Sequence, residues 1–473
     1  MMLLIYFGIT ILLLTGMLLF RRRKVITILM LAFLLNQSGL TAIIWLNPGI
    51  VQMKYFVFDP LASLFLSLLT VISFTTVIHG LINLRSDSTR RYQYYQMALT
   101  GLIASITAAT LANHLTVVWI FVEATTLCVS VLIYHEKNRL TLEAVWKYIF
   151  VCSVGIAIAY FGILFLGLGL RENAGFDLTF REMALILGDT NPLYLKIAFL
   201  FVLVGYSTKI ELFPMHTAGV DANSVAQPQV SAFISTAMVN LGFVAFYRVY
   251  LVFSQTQIAG WMNHILILTG ILSILTAAGY MLKARHAKRM FAYSTLEIMG
   301  LMAIALGFGP SAHPAALMIL IVHTLIKSGL FYQLSQFFRT WHSYKIKETG
   351  NYFALNPHGG LVLMAGSMLI LAIPPSGLFL PEWMVFVSLA GAGQWLVLCT
   401  VLALLGFIVY GFSTRMLHLL FSRPIEGRLE ASENQTNWYE ITIQWVLLAV
   451  ASLLCFYQPP FLLALIHAAI QPF

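Results

Sequence analysis

Apolar residues in this chain run almost unbroken for about 17–25 positions at a time and are separated by short polar connections, the pattern of helices that cross a bilayer. Read this way, the sequence predicts helices near 2 to 20, 25 to 46, 59 to 84, 95 to 112, 115 to 134, 144 to 170 and 193 to 221. Seven more follow near 229 to 254, 261 to 282, 290 to 307, 314 to 338, 361 to 388, 395 to 420 and 441 to 458. The count is about fourteen spans. The longest polar connections, 171 to 192 and 421 to 440, are too short to hold a core of their own. The prediction is a single all-α polytopic membrane domain over residues 1–473.

Composition agrees: 60% of the 473 residues are hydrophobic, 10% are charged and the mean hydropathy is +0.86. That much apolar surface excludes a soluble fold. The first apolar run ends in Arg21, Arg22, Arg23 and Lys24 with no small-residue cleavage site after it, so it reads as the first span rather than a leader. The net charge of +9 does not imply a nucleic-acid partner, because the basic residues are scattered over short connections. Odd-numbered connections carry RRRK at 21, Arg85 with Arg90 and Arg91, Lys137 with Arg139, KARHAKR from 283, Arg339 with Lys345 and Lys347, and Arg423 with Arg428. Even-numbered ones carry only Lys54, Arg171 and Arg181. The bias predicts that the odd connections face the cytoplasm and both termini lie on the outer side.

Two spans are interrupted. Lys209 and Pro214 fall inside one apolar segment, and Pro374 and Pro375 fall inside another, LAIPPSGLFLPEWMVF. Proline removes a backbone donor and clashes with the carbonyl four residues earlier, so each helix must bend or break there. The two breaks occupy the fourth helix of two five-helix groups, 95–254 and 261–420, which follow the N-terminal helices of 1–94 and precede the C-terminal helix of 421–473. An odd number of helices inverts the second group relative to the first, and paired broken helices in inverted repeats mark a binding path. The halves share no visible sequence similarity, so the repeat is an expectation from architecture alone.

Charged side chains inside apolar runs are the candidate chemistry. A lysine at the centre of a bilayer helix costs roughly 2.5–3.5 kcal/mol on insertion scales, so Lys209 is expected to face a partner or a wet cavity; the competing reading is a lysine snorkelling from a helix end. Glu123, in VVWIFVEATTLCVS, is its natural partner. Their titrations would be coupled, whereas a static salt bridge fixing helix packing is the simpler alternative. Lys147 begins the sixth span, where position alone makes it an interfacial anchor. His323 and Lys327 are four apart and share one helical face, and Glu382 follows the double proline. In chain order Glu123, Lys147, Lys209, His323, Lys327 and Glu382 alternate acids and bases at membrane depth, which reads as a proton relay. Asp59 and Glu297 are expected near helix starts with structural roles.

Nothing in the sequence reads as a cofactor or metal site. The four cysteines lie in apolar runs without a C-x-x-C pair, H-E-x-x-H is missing, and GLGL and GFGP lack the spacing of phosphate loops.

K-x-x-x-F-P-M-H-T from Lys209, followed by D-A and V-S-A, resembles the seventh-helix motif of the proton-translocating antiporter-like family shared by respiratory complex I, Mrp sodium/proton antiporters and membrane-bound hydrogenases. Lys209, Pro214, His216, Asp221 and Ser231 take matching places, KRMFAYSTLEIMG is similar to the tenth-helix start, and Glu123 matches the fifth-helix glutamate. Within the family the hydrogenase-4 component F branch is favoured by His323 with Lys327, by Asn240 in MVNLGF, and by Glu382 after PPSGLFLPEW. The chain departs from the family pattern where AGV precedes Asp221, where AQPQ follows it, and at Asn240, which leaves the eighth helix without a titratable side chain. Water held by Asn240 would bridge that gap.

The resemblance implies a subunit that moves protons, or sodium, in step with a redox reaction on other subunits. It would hold no redox centre, and its partners would be other membrane-arm subunits, a hydrogenase-like peripheral redox module and the lipid bilayer. Two alternatives stay open: an independent secondary transporter subunit of the Mrp or bicarbonate-uptake type, and a structural membrane anchor whose relay has decayed.

Overall fold

The structure is a computed structural model that describes residues 2–170, 177–425 and 436–471. Arg171 and Arg428, counted above among the loop cations, lie outside the described residues. The chain divides into two compact units, residues 1–210, 237–262 and 464–473 in one and residues 211–236 and 263–463 in the other.

The first unit opens with α1 (Met2–Leu19) and α2 (Arg23–Leu46), then a two-stranded antiparallel ribbon of β1 (Val51–Gln52) and β2 (Phe56–Val57). Next come α3 (Pro60–Asn83), α4 (Thr89–Leu111), α5 (Leu115–Ile133), α6 (Arg139–Gly169), the short α7 (Phe180–Ile186) and α8 (Pro192–Ile210). Local signals start these helices where they do. Asp59 caps α3 by accepting from the Ala62 amide at 2.7 Å, with Pro60 at the first helical position. Asn138 and Thr141 form a capping box at the head of α6. α6 packs along α8, and close approach depends on Gly205, where an added Cβ would lie 2.5 Å from that of Ala159.

In the order of the chain, α9 (Thr217–Val225) and α10 (Pro228–Phe233) then follow. A single π turn at Ile234–Met238 leads into α11 (Val239–Phe253), so the span expected at 229 to 254 is not a uniform α-helix. After it come α12 (Ala259–Met281), α13 (Ala287–Phe308) and α14 (His313–Trp341). The remainder is α15 (Tyr352–Leu355), α16 (Pro357–Ile370), α17 (Phe379–Gly391), α18 (Trp395–Phe421), α19 (Trp438–Phe456) and α20 (Pro460–Ala469). In the second unit α14 is the central element, packed by α10, α13, α16, α17 and α19.

The protein is an all-α polytopic membrane protein. Among the described residues twelve helices are long and apolar enough to cross a membrane. Two expected spans fall outside that set for visible reasons. α4 begins with the polar run TRRYQYYQ, and the span expected at 361 to 388 is divided into α16 and α17, of 14 and 13 residues. α7 and α20 are short helices that the apolar-run pattern did not predict, because each is shorter than a span.

A candidate ion-translocation site

In the first unit, Lys209 ends the last turn of α8 with only 3% of its surface exposed. Its ammonium donates to Thr126 Oγ1 at 2.8 Å and makes a long contact of 3.5 Å to the Tyr148 hydroxyl. Glu123 does not pair with it directly. The Thr126 hydroxyl lies one turn beyond Glu123 on α5 and 3.3 Å from its Oε2, while Ser153 of α6 donates to Oε1 at 2.9 Å. The expected acid–base pair is therefore spaced by a hydroxyl that both accepts from the lysine and points its proton at the carboxylate. Threonine gave no signal for this in the sequence, since it is common in helices that cross membranes.

α11 completes this surroundings. An added Cβ on Gly242 would lie 2.7 Å from the Lys209 Cβ, so glycine there lets α11 meet α8. Asn240, one turn-half earlier, lines a small cavity of about 10 Å³ with Ile106, Thr110 and Leu241, room for about one water. Lys147 sits elsewhere on α6, half exposed and paired with Glu143 at 2.7 Å. Asp59 does more than cap α3, because it also pairs at 2.7 Å with Arg248, which is wholly buried.

In the second unit the chain leaves helical geometry at Glu211, whose φ is +60°, and resumes at α9. Pro214 lies inside this break, and His216 precedes the first residue of α9, its ring stacked near Phe213 and close to Tyr293. Asp221 on α9 pairs with Arg289 at 2.7 Å. Ser231 donates to the carbonyls of Asn223 and Ala226, which ties α10 back to α9. Glu211 was passed over in the sequence because it sits between Lys209 and Pro214. It is 2% exposed, accepts from Asn223 Nδ2 at 3.0 Å through Oε1, and its Oε2 makes no hydrogen bond among the described residues.

Lys327 lies at the middle of α14, its ammonium donating to the Phe291 carbonyl and to Ser294 Oγ of α13. Both Glu211 and Glu297 lie within electrostatic reach of it. His323, one turn earlier and fully buried, makes no hydrogen bond with either ring nitrogen among the described residues. The expectation for Glu297 needs correction. It is ten residues into α13 rather than at its start, 4% exposed, with Oε2 unpartnered, and the apolar helix around it hid that depth. Glu382 is in the first turn of α17, 8% exposed. Glu297 and Glu382 line one cavity of about 140 Å³ together with Leu371, Ala372 and Phe379. Pro374 and Pro375 lie in the break between α16 and α17, where Ser376 Oγ takes over the Leu369 carbonyl at 2.6 Å.

This pair of interrupted helices with buried titratable side chains beside them is the geometry at which residues 112–409 match the family described as NADH:quinone oxidoreductase/Mrp antiporter, transmembrane. The chain belongs to that family. It is 28% identical over 362 residues, 74% of this chain and 76% of the relative, to the Hydrogenase-4 component F homolog of Methylacidiphilum infernorum. It is 26% identical over 393 residues, 80% of this chain and 76% of the relative, to NADH-quinone oxidoreductase subunit N of Ectopseudomonas mendocina. Among solved structures it is similar to a chain of the membrane-bound sulfane sulfur reductase, an archaeal respiratory membrane complex, with a TM-score of 0.82, 20% identity and coverage of 99% and 95%. A chain of respiratory complex I from Thermus thermophilus gives 0.78 at 22% identity, covering 96% and 97%. At these identities the structural likeness shows the shared fold.

Proposed function

We propose that this protein is a membrane-arm subunit that moves protons, or sodium, across a prokaryotic cytoplasmic membrane, driven by a redox reaction on a hydrogenase-like peripheral module. The observation that carries the reading is the run from the buried Lys209 ammonium through the buried Thr126 hydroxyl to the part-buried Glu123 carboxylate. A hydroxyl held between an amine and a carboxylate passes a proton by accepting one and releasing another, whereas a direct ion pair would hold it. The 3.3 Å step between Thr126 and Glu123 is longer than an ordinary hydroxyl hydrogen bond. Proton passage thus requires that step to shorten, which couples transfer to small helix movements.

His323, Lys327 and Glu382 form the path of the second half, and the cavity beside Glu382 supplies its wet end. Lys147, paired with Glu143 at the head of α6, belongs to the loading end, and the water-sized cavity at Asn240 stands in for the missing titratable group of α11. Pro214, His216, Asp221, Pro374 and Pro375 shape the two breaks. Residues 95–254 and 261–420 act as inverted halves around them. The hydrogenase-like module is favoured by the similarity to a Hydrogenase-4 component F homolog across three quarters of both chains. The test is proton movement per redox turnover in vesicles holding the complex that co-purifies with the tagged chain. Lys209→Met should remove most of it with assembly intact, and an unchanged ratio would defeat the proposal.

A further inference from the structure

The junction between α1 and α4 holds a cavity of about 330 Å³ lined by Leu18, Arg21, Thr89, Arg90, Gln93 and Tyr94. It lies where the apolar run of α1 gives way to RRRK, the level at which a helix leaves lipid for water. Other side chains brace this corner. Gln93 donates to the Met17 and Leu18 carbonyls at 2.6 and 3.0 Å, closing the end of α1, and Arg23 donates to the carbonyls of Leu84 at 2.6 Å and Arg85 at 3.0 Å. Asp87, the acid of that connection, is bonded to His135 at 2.6 Å. Neither Arg21 nor Arg90 pairs with an acid among the described residues. Arg90 Nε donates to the Tyr94 hydroxyl at 3.3 Å, and its guanidinium lies 5.7 Å from the centroid of that ring. The ring fixes the guanidinium and leaves its terminal nitrogens for an acceptor from outside the chain.

Apolar surface leads away from the same cavity. Leu4, Ile11 and Leu18 are seven residues apart, two turns each, so they share one face of α1, and each is more than half exposed. A stripe of this kind ending at two unpaired guanidinium groups fits a molecule with an anionic head and a hydrocarbon tail. We infer that the cavity binds the phosphate of an anionic phospholipid, whose acyl chains lie along the face of α1 that carries Leu4, Ile11 and Leu18. Arg90 meets the phosphate through paired nitrogens and Arg21 adds a second charge from the end of α1, so the headgroup bridges α1 and α4. The inference is independent of the translocation reading and needs only a chain that spans a membrane.

The test uses the complex that co-purifies with the tagged chain, stripped of lipid in detergent. It is titrated with phosphatidylglycerol or phosphatidylcholine carrying a diazirine on one acyl chain, and after irradiation the labelled peptides are found by mass spectrometry. Phosphatidylglycerol should label α1 in the wild type, and phosphatidylcholine should do so far less. Arg21→Gln and Arg90→Gln should each raise the half-saturating concentration about fivefold and the double variant about 25-fold, the worth of one interfacial arginine counted once and twice. All three arginines substituted are exposed, so complex yield should not change. Arg22→Gln makes the same charge change beside the cavity without lining it, and it should bind nearly as the wild type. Equal losses in Arg22→Gln and Arg21→Gln would mean diffuse surface attraction and would overturn the inference, as would unchanged labelling in the double variant. Equal labelling by phosphatidylcholine would reduce the site to an apolar groove, and displacement of phosphatidylglycerol by inorganic phosphate would make it a free-anion site. Either result defeats the lipid assignment, and so does an unlabelled α1, which would show that another subunit covers it.

Discussion

Thr126 decides whether Lys209 and Glu123 communicate or merely coexist. Its hydroxyl bonds to both, so Thr126→Val, which keeps the shape and removes the proton carrier, should cut proton movement about tenfold or more, whereas Thr126→Ser should restore most of it. Measured by vesicle acidification, normal activity in the valine variant would show that water or a direct contact does the work. Lys209→Arg separates charge from chemistry, because arginine stays protonated and supplies attraction without proton release. It should be nearly as inactive as Lys209→Met. Glu382 belongs to the same scale. Its burial against the cavity shared with Glu297 argues against a solvated interfacial role, and Glu382→Gln should leave assembly intact while proton movement per turnover falls sharply. An unchanged ratio would require another exit for the second half.

At the scale of elements, three irregular stretches of backbone between or within helices adjoin polar or titratable side chains. The breaks at 211–216 and 371–378 bring Glu211 and Glu382 to helix ends, and the π turn at 234–238 falls just before Asn240. Freed backbone groups at membrane depth need protein or water to satisfy them, which Ser376 supplies at the second break. The loop before α13 is a different kind of joint. Ala287 donates to the Tyr344 carbonyl and Ile346 donates to that of Arg285, with the His286 ring beside Tyr344. Burial, and then the positive charges of Lys288, Arg289 and Lys345, push the His286 imidazole down to about 4. A histidine in an unfolded chain titrates near 6.5, so the unfolded state binds the extra proton first and stability falls as pH drops from about 6.5 toward 4. Thermal unfolding in detergent should show the melting temperature falling across that window, and His286→Gln should flatten the fall. An unchanged slope in that variant would assign the acid sensitivity to other groups.

At the scale of the whole molecule, the exposed large apolar side chains define what surrounds the protein. Leu12 of α1, Phe150 of α6 and Leu396 of α18 are 69%, 70% and 83% exposed, faces that lipid or partner helices cover and water does not. Orientation rests on the basic connections. Reporter fusions after Arg91 and at the C-terminus should give opposite signals, with Arg91 cytoplasmic. Identical signals would mean a miscounted span and would remove the inverted arrangement of 95–254 and 261–420 from the proposal.

What the sequence determined by itself was whatever depends on single residues being costly in lipid. Long apolar runs dictate helices because backbone groups have no other partner there, prolines 214, 374 and 375 dictate breaks, and Glu123, Lys209, His323, Lys327 and Glu382 stand out because charge in an apolar run is rare. Asp59 was legible as a cap from the proline after it. The tertiary structure decided everything that depends on which side chains meet. It interposed Thr126 between Glu123 and Lys209, brought Asp59 to Arg248, carried Glu297 into the interior beside Glu382, and buried the Glu211 carboxylate over Gly219 against Asn223 through a left-handed backbone. No spacing rule announces these contacts, because they join residues on different helices whose relative rotation is set by packing, by glycines such as Gly205 and Gly242, and by the backbone breaks themselves.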